Sequence, residues 1–273
     1  MTTTEVFHIG GDLPVRRIGY GAMRLSGAPH ERRGMTAPVW TAPTDRTESI
    51  ALLRKAVELG VNFFDTADAY ALGESEELLG EALHPYGDEV AVATKVGVLR
   101  PSPTEWVPLG HPAYLRQQAE LSLRRLRTDR LDLLQLHRID PTYPLAEQIG
   151  ALKQLQDEGK VRHIGLSEVT VAELLEAERT APIASVQNLY NLSDRTHEPL
   201  LDHTAAHGTA FIAYFPISLG EGNTTPSRLA LAWLLHRAPN VIPIPGTSSP
   251  AHLADNTAAL RLHLTEAEFK QIG

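Results

Sequence analysis

The stretch Asn62-Phe63-Phe64-Asp65-Thr66-Ala67-Asp68-Ala69-Tyr70 runs an apolar strand into a carboxylate, and a phenol follows five residues later. Two later apolar runs end in the same manner. Ala91-Val92-Ala93-Thr94-Lys95 ends in an ammonium, and Leu133-Leu134-Gln135-Leu136-His137 ends in an imidazole. If these runs are neighbouring parallel strands, Asp65, Tyr70, Lys95 and His137 meet at one rim. A free phenol has a pKa of about 10 and is a weak acid at neutral pH. A nearby ammonium favours the phenolate and lowers that pKa, and a carboxylate can hold the ammonium in place. Two unit charges ~4 Å apart interact by roughly 4 kcal/mol at an effective dielectric near 20, enough to tune an acid. The imidazole can hydrogen-bond the phenol or the reacting oxygen. Such a set suits protonation of a carbonyl oxygen while a hydride reaches its carbon. Holding the reacting groups in one orientation supplies roughly 7–11 kcal/mol more.

Taken singly, the four residues have ordinary structural readings. Asp65 can be a loop cap, Lys95 a solvated strand end or an ion pair, His137 a satisfied core histidine and Tyr70 a loop aromatic. Placed at the ends of the second, third and fourth strands of one alternating chain, they point to chemistry.

That alternation can be read along the chain. Val6–Ile9, Gly10-Gly11-Asp12 and Leu13–Ile18 predict a β-hairpin, because the glycines supply the positive φ of a tight turn. A first strand spans 19–23. Residues 25–44 are rich in Gly, Pro, Ser and Arg and read as a functional loop or lid. Asp45 with Glu48 marks a capped helix start, and Gly60 its end. Strands are then expected at 61–65, 90–95, 131–137, 163–166, 184–188, 209–214 and 241–245. Helices between and after them are expected at 75–83, 114–126, 145–158, 171–179, 198–207, 226–236 and 250–260. Thr265-Glu266-Ala267-Glu268 opens a C-terminal helix. Eight strand–helix units in roughly 250 residues predict a (β/α)8 TIM barrel with an N-terminal β-hairpin. No linker divides the chain, so residues 1–273 read as one domain: hairpin 1–18, barrel 19–260 and C-terminal helix 261–273. In such a barrel the chemistry sits at the carboxyl ends of the strands. The polar residues there form one ordered set: Asp65, Lys95, His137, Ser167, Gln187, Tyr214 and Gly246-Thr247-Ser248-Ser249.

Composition narrows the function. The formal net charge of −8 argues against a broad nucleic-acid footprint, which needs a basic surface. No apolar run approaches the ~20 residues of a membrane span, and no secretory signal is visible, so the expected address is the cytoplasm. The absence of cysteine excludes disulfides and thiolate metal sites and fits a reducing compartment. The expected partner is a small carbonyl compound. Oligomeric state is not legible.

Six stretches together resemble the aldo-keto reductases. They are Phe64-Asp65-Thr66-Ala67-Asp68-Ala69-Tyr70, Ala93-Thr94-Lys95, Leu134-Gln135-Leu136-His137, Gly159-Lys160-Val161-Arg162-His163-Ile164-Gly165-Leu166-Ser167, Val186-Gln187-Asn188-Leu189-Tyr190-Asn191 and Ile244-Pro245-Gly246-Thr247-Ser248-Ser249. The match runs from about Val15 to Leu260 and is similar to bacterial members, pyridoxal reductase-like proteins among them. The resemblance implies a catalytic tetrad: Tyr70 as general acid, Lys95 and Asp65 as its tuning pair, His137 as orienter. It implies an extended NADPH (NADP+) along the rim. Gly21, Ala22 and Met23 would lie at the nicotinamide end with Asp65, and Ser167, Glu168 and Gln187 at the carboxamide. Tyr214 would stack on the ring, and Phe215-Pro216-Ile217 would border the pyrophosphate. Ile244, Gly246, Thr247 and Ser248 would lead into a helix N-terminus suited to phosphate, with His252, Asp255 and Asn256 at the adenosine end.

Three departures stand out. Glu168 replaces the usual asparagine and can only accept a hydrogen bond. His252 replaces an arginine that many members use for the 2′-phosphate, which leaves NADH open as an alternative. Residues 218–225 form a shorter connection than family members usually carry over the cofactor. Gly19-Tyr20-Gly21 precedes no helix and is not a dinucleotide fingerprint, so the cofactor expectation rests on the family pattern. The substrate is expected between Trp40, Tyr70, Trp106 and His137, with no metal. Two other readings are a cofactor-binding regulatory subunit with little turnover and a metal-dependent hydrolase. An intact tetrad opposes the first, and the lack of a His-x-His pair opposes the second.

Overall fold

The computed structural model describes residues 5–25, 39–41, 43, 45–217 and 225–273. The loop expected at 25–44 and the connection at 218–225 therefore lie largely outside the described residues.

Strands β1 (Val6–Ile9) and β2 (Leu13–Arg16) pair as an antiparallel hairpin. Its turn passes through Gly10 and Gly11 at φ 61 and 87, a conformation in which a side chain is strained. Then come β3 (Tyr20–Gly21), β4 (Phe63–Asp65) and β5 (Ala91–Val96), a small ribbon of β6 (Val98–Leu99) and β7 (Val107–Pro108), and β8 (Leu131–Leu136). β9 (Val161–Ser167), β10 (Ser185–Leu189), β11 (Ala210–Tyr214) and β12 (Val241–Pro243) complete the set. The main sheet runs β3-β4-β5-β8-β9-β10-β11-β12, parallel throughout. Gly19 N–H donates to the Pro243 carbonyl at 3.0 Å and spans the seam between last and first strands. At that seam a Cβ on Gly21 would sit 2.7 Å from the Ile244 carbonyl oxygen, and one on Gly246 would sit 2.6 Å from that of Gly21. Only glycines allow the backbones so close.

The connecting helices are α1 (Arg46–Glu58), α2 (Glu74–Leu83), α3 (Pro112–Leu126), α4 (Leu145–Asp157), α5 (Val171–Glu178), α6 (Glu198–His207), α7 (Ser227–Arg237) and α8 (Pro250–Ala258); α9 (Glu266–Ile272) ends the chain. This is the (β/α)8 architecture. Caps start the helices where the sequence places them. Asp45 accepts from Glu48 N–H, and Thr265 forms a reciprocal capping box with Glu268.

Two apolar layers hold the barrel. Inside, Phe63, Ala91, Ala93, Leu133, Ala210, Ile212 and Ile242 pack on Ile9, Leu13 and Val15, so the hairpin plugs one end. Asp12 bonds Arg162 and His163 at 3.0 and 2.6 Å, pinning that plug to β9. Outside, the other strand face packs on the helices. All six residues of β5 are buried, as expected for a strand covered on both faces. Losing a ring such as Phe63 would cost about 3–5 kcal/mol. Among the described residues no helix is long and apolar enough to cross a membrane.

Three local expectations change. Between the expected strand 90–95 and helix 114–126, a β6–β7 ribbon appears that the sequence did not announce. The first strand stops at Gly21, and Ala22–Leu25 is a 3-10 turn. Pro226 caps α7 from outside instead of occupying its first helical position.

Candidate active site

Each tetrad residue stands where a buried strand releases its chain. Asp65 is the last residue of β4, Lys95 lies near the end of β5, and His137 follows β8 directly. Tyr70 is presented by the turn after β4, where Tyr70 N–H donates to the Ala67 carbonyl at 3.2 Å. Beyond it Ala71, Leu72 and Gly73 all take left-handed φ values of 48, 55 and 97. Non-glycine residues there cost roughly 1–2 kcal/mol each, and such strain is tolerated where geometry must be fixed.

The side chains converge. Lys95 Nζ donates to Asp65 Oδ1 at 2.6 Å, to the Thr66 carbonyl at 2.8 Å and to the Tyr70 hydroxyl at 3.4 Å. The His137 and Tyr70 rings meet edge-on with centroids 5.9 Å apart, and Trp106 lies 6.1 and 6.3 Å from them. Asp65, Tyr70, Lys95 and His137 are 2, 6, 1 and 5% exposed. Ala67 and Val39 pack against the Tyr70 ring, with Met23 and Trp106 beside them.

Burial and charge set the protonation states. Burial opposes the Lys95 charge, but Asp65 and Tyr70 beside it prevail and hold its pKa above the ordinary lysine value. Burial pushes the Tyr70 phenol up, and Lys95 pulls it down only in part, so the net direction is upward. The expectation that the ammonium leaves the phenol more acidic than free tyrosine is thus corrected: in this protein alone, desolvation outweighs it. Burial, reinforced by Lys95, Arg138 and Arg100, keeps His137 well below the usual histidine range. The imidazole is therefore neutral at neutral pH.

A cavity of about 470 Å³ opens over the tetrad. It runs along the strand ends past Gly21, Met23, Asp65, Tyr70, Trp106, His137, Ser167, Glu168, Gln187 and Tyr214 to Phe215, Pro216, Ile217, Ile244 and Gly246. The backbone is strained at Glu168 and Phe215, with φ 56 and 44. The remaining sequence-derived candidates do not line it. Ala22 is fully buried. Thr247 bonds locally, its hydroxyl accepting from Ser249 N–H and its carbonyl from the Tyr20 hydroxyl. Ser248 and His252 are exposed, Asn256 is buried, and Asp255 is taken by Arg228 at 2.5 Å. Trp40 is not among the residues that line the cavity; the Arg100 guanidinium lies over its ring and that of Trp106, 5.5 and 3.8 Å from their centroids.

Two expected cofactor contacts have partners within the protein. Gln187 Nε2 donates to Asp65 Oδ2 at 2.7 Å and to Gln135 Oε1 at 3.4 Å, so its carbonyl oxygen is the group left to meet an amide. Glu168 Oε1 accepts from Leu189 N–H at 3.0 Å, and with burial its charge raises the Tyr214 phenol. Three residues escaped the sequence reading. Gln135 donates to Asp65 Oδ2 at 3.2 Å; a polar residue inside a buried parallel strand is the signal that marks it. Arg138 lines the cavity next to His137, and Arg24 lines it after β3.

These residues fit a nicotinamide dinucleotide. The cleft is elongated along the whole rim, Ser167 and Gln187 offer an amide a hydroxyl and a carbonyl, and Tyr214 offers a flat face. Among the described residues, buried His137 Nδ1 and Trp106 Nε1 have no hydrogen-bond partner, as polar atoms at a ligand site do.

Fold and site together define a (β/α)8 barrel with a buried cluster of carboxylate, ammonium, phenol and imidazole at its carboxyl rim. The model of the aldo/keto reductase family matches residues 17–222 and 219–273. The chain is 41% identical over 276 residues to an uncharacterised oxidoreductase of Schizosaccharomyces pombe, covering 96% of this chain and 87% of the relative. It is 40% identical over 278 residues to pyridoxine 4-dehydrogenase of Escherichia coli, covering 94 and 93%. It superposes with a TM-score of 0.80 on an aldo-keto reductase of Klebsiella pneumoniae solved in complex with NADPH, at 29% identity and 98 and 93% coverage. The chain belongs to the aldo/keto reductase family, an oxidoreductase of carbonyl compounds that works with a nicotinamide cofactor.

Proposed function

We propose that this enzyme reduces an aldehyde or ketone to an alcohol with NADPH, and that Tyr70 gives the proton to the carbonyl oxygen. The observation that carries this reading is the Lys95 ammonium, 2.6 Å from Asp65 and 3.4 Å from the Tyr70 hydroxyl, with all three side chains buried at the floor of the cavity. When bound, the reduced nicotinamide supplies the hydride. Tyr70 holds its proton until the carbonyl oxygen gains charge, because burial makes an isolated phenolate costly. As the proton leaves, Lys95 stabilises the phenolate, and the fixed Asp65 keeps Lys95 in position without rearrangement. Neutral His137 offers a hydrogen bond that orients the oxygen beside the phenol. Trp106 covers this end and helps exclude water.

For the cofactor, Ser167 and the Gln187 carbonyl would hold the carboxamide and Tyr214 the ring face. Gly21, Met23, Phe215, Pro216 and Ile217 would border the chain of the dinucleotide. Gly246, Thr247 and Ser248 would bring phosphate toward the start of α8, with His252 and Asn256 near the adenosine end. Arg24 adds a permanent cation to this wall. NADPH is favoured by the similarity to the Klebsiella pneumoniae enzyme solved with it.

The test is a panel of aromatic and aliphatic carbonyls run with NADPH and NADH in parallel. Pyridoxal belongs in the panel because of the E. coli relative's name. Oxidation of NADPH with at least one aldehyde is expected; no turnover of any carbonyl with either cofactor contradicts the reading.

A further inference from the structure

The charges around the cavity narrow the choice of carbonyl substrate. Most ionised groups there are already committed. Lys95 and Asp65 neutralise each other. Glu168 is engaged by Leu189 N–H. Arg100 is spent on backbone carbonyls: Nε on Glu105, Nη1 on Val39 and Ala69, and Nη2 on Pro103. Arg138 differs. Its Nη1 donates to the His137 carbonyl at 2.6 Å and to Ser167 Oγ at 3.1 Å. Those two bonds fix the guanidinium against the rim, between the residue that orients the carbonyl and the residue beside the cofactor amide. Among the described residues its Nε and Nη2 make no hydrogen bond and it forms no ion pair, yet it lines the cavity.

We propose that Arg138 is a specificity-determining residue that binds an oxyanion carried by the carbonyl substrate close to the reacting group, so that the preferred substrates are carboxylate-bearing aldehydes. A guanidinium with one nitrogen anchored and two donors unspent is suited to the paired oxygens of a carboxylate. Its charge adds to that of Arg100 beside His137. Trp106 and Tyr70 supply apolar walls for the remainder of the molecule. The inference rests on the proposed carbonyl reduction, and its test separates the two.

The three carboxybenzaldehydes and their methyl esters are compared by kcat/KM with NADPH, and the NADPH Kd is measured by fluorescence titration. For the native enzyme at least one acid is expected to exceed its ester by about ten-fold, the worth of one charge-assisted hydrogen bond, and chiefly through KM. In Arg138→Gln that ratio is expected to fall to near one, and in Arg138→Lys to an intermediate value. The ratio is insensitive to a general loss of activity, and the lysine variant covers a glutamine variant that fails to fold. Esters turned over as well as every acid, or a preference that survives in Arg138→Gln, overturns the proposal while leaving carbonyl reduction intact. A variant that weakens NADPH binding without changing the ratio assigns Arg138 to the cofactor and also overturns it. Failure of every aldehyde, acid and ester alike, sinks the reductase reading itself.

Discussion

Gln187 Nε2 donates to Asp65 Oδ2 at 2.7 Å, on the oxygen opposite the one that receives Lys95 Nζ at 2.6 Å. The carboxylate is thus held on both sides, with Gln135 as a second donor to Oδ2 at 3.2 Å. A carboxylate so fixed keeps the ammonium, and through it the phenol, in one arrangement before substrate arrives, which is where electrostatic catalysis gains most.

Gln187→Leu should therefore damage stability as well as the proposed cofactor contact. It removes the closer donor from a buried carboxylate oxygen, a loss of about 1–3 kcal/mol. Gln135→Leu should cost less, because its bond is longer and Gln187 remains. Urea unfolding of both variants checks the order; an equal or reversed order would show that Gln187 does not carry Asp65.

Much of this arrangement was legible in the sequence. Strand ends announce themselves by an apolar run stopped by one polar residue, which is how Asp65, Lys95 and His137 are found. Tyr70 is found by its distance from Asp65. What the sequence hides is direction. Gln187 reads as a cofactor contact, yet its amide turns toward Asp65. Asp255 reads as part of the adenosine end, yet Arg228 on the neighbouring helix takes it. Trp40 reads as a substrate wall, yet it packs on Arg100. Arg138 follows a recognisable histidine, but nothing in its spacing says which way a long side chain lies. The net pKa direction of Tyr70 is hidden for the same reason: it depends on how completely water is excluded, a tertiary property.

The Asp65–Lys95 pair is buried, so breaking it from one side is costly. Asp65→Asn leaves an unpaired ammonium in the barrel and should destabilise the protein by about 3–5 kcal/mol. Lys95→Met should also destabilise. The double variant should lose less than the sum of the singles, because no lone charge remains. Strict additivity in a denaturation cycle would contradict the pairing.

Asp68 gives a pH signature. Burial and the nearby Glu76 charge raise its pKa well above the usual aspartate value, and among the described residues its Oδ1 has no hydrogen-bond partner. A carboxyl with a raised folded pKa takes up a proton on folding, so stability is lost as pH climbs from the unfolded value near 4 through the folded one. Asp68→Asn removes that dependence. The variant should be more stable than the native protein at pH about 8, with the difference shrinking as pH falls toward about 4. Thermal unfolding across that range tests it; a native protein more stable than the variant at alkaline pH would refute the assignment.

The proposed proton transfer stands most directly on the Tyr70 phenol. Single-turnover hydride transfer by Tyr70→Phe, measured with NADPH already bound to the protein and an aldehyde accepted by the native enzyme, isolates the proton-donating step. A rate about 10²–10⁴-fold below native, with NADPH affinity preserved, is the predicted result; hydride transfer at the native rate would contradict it.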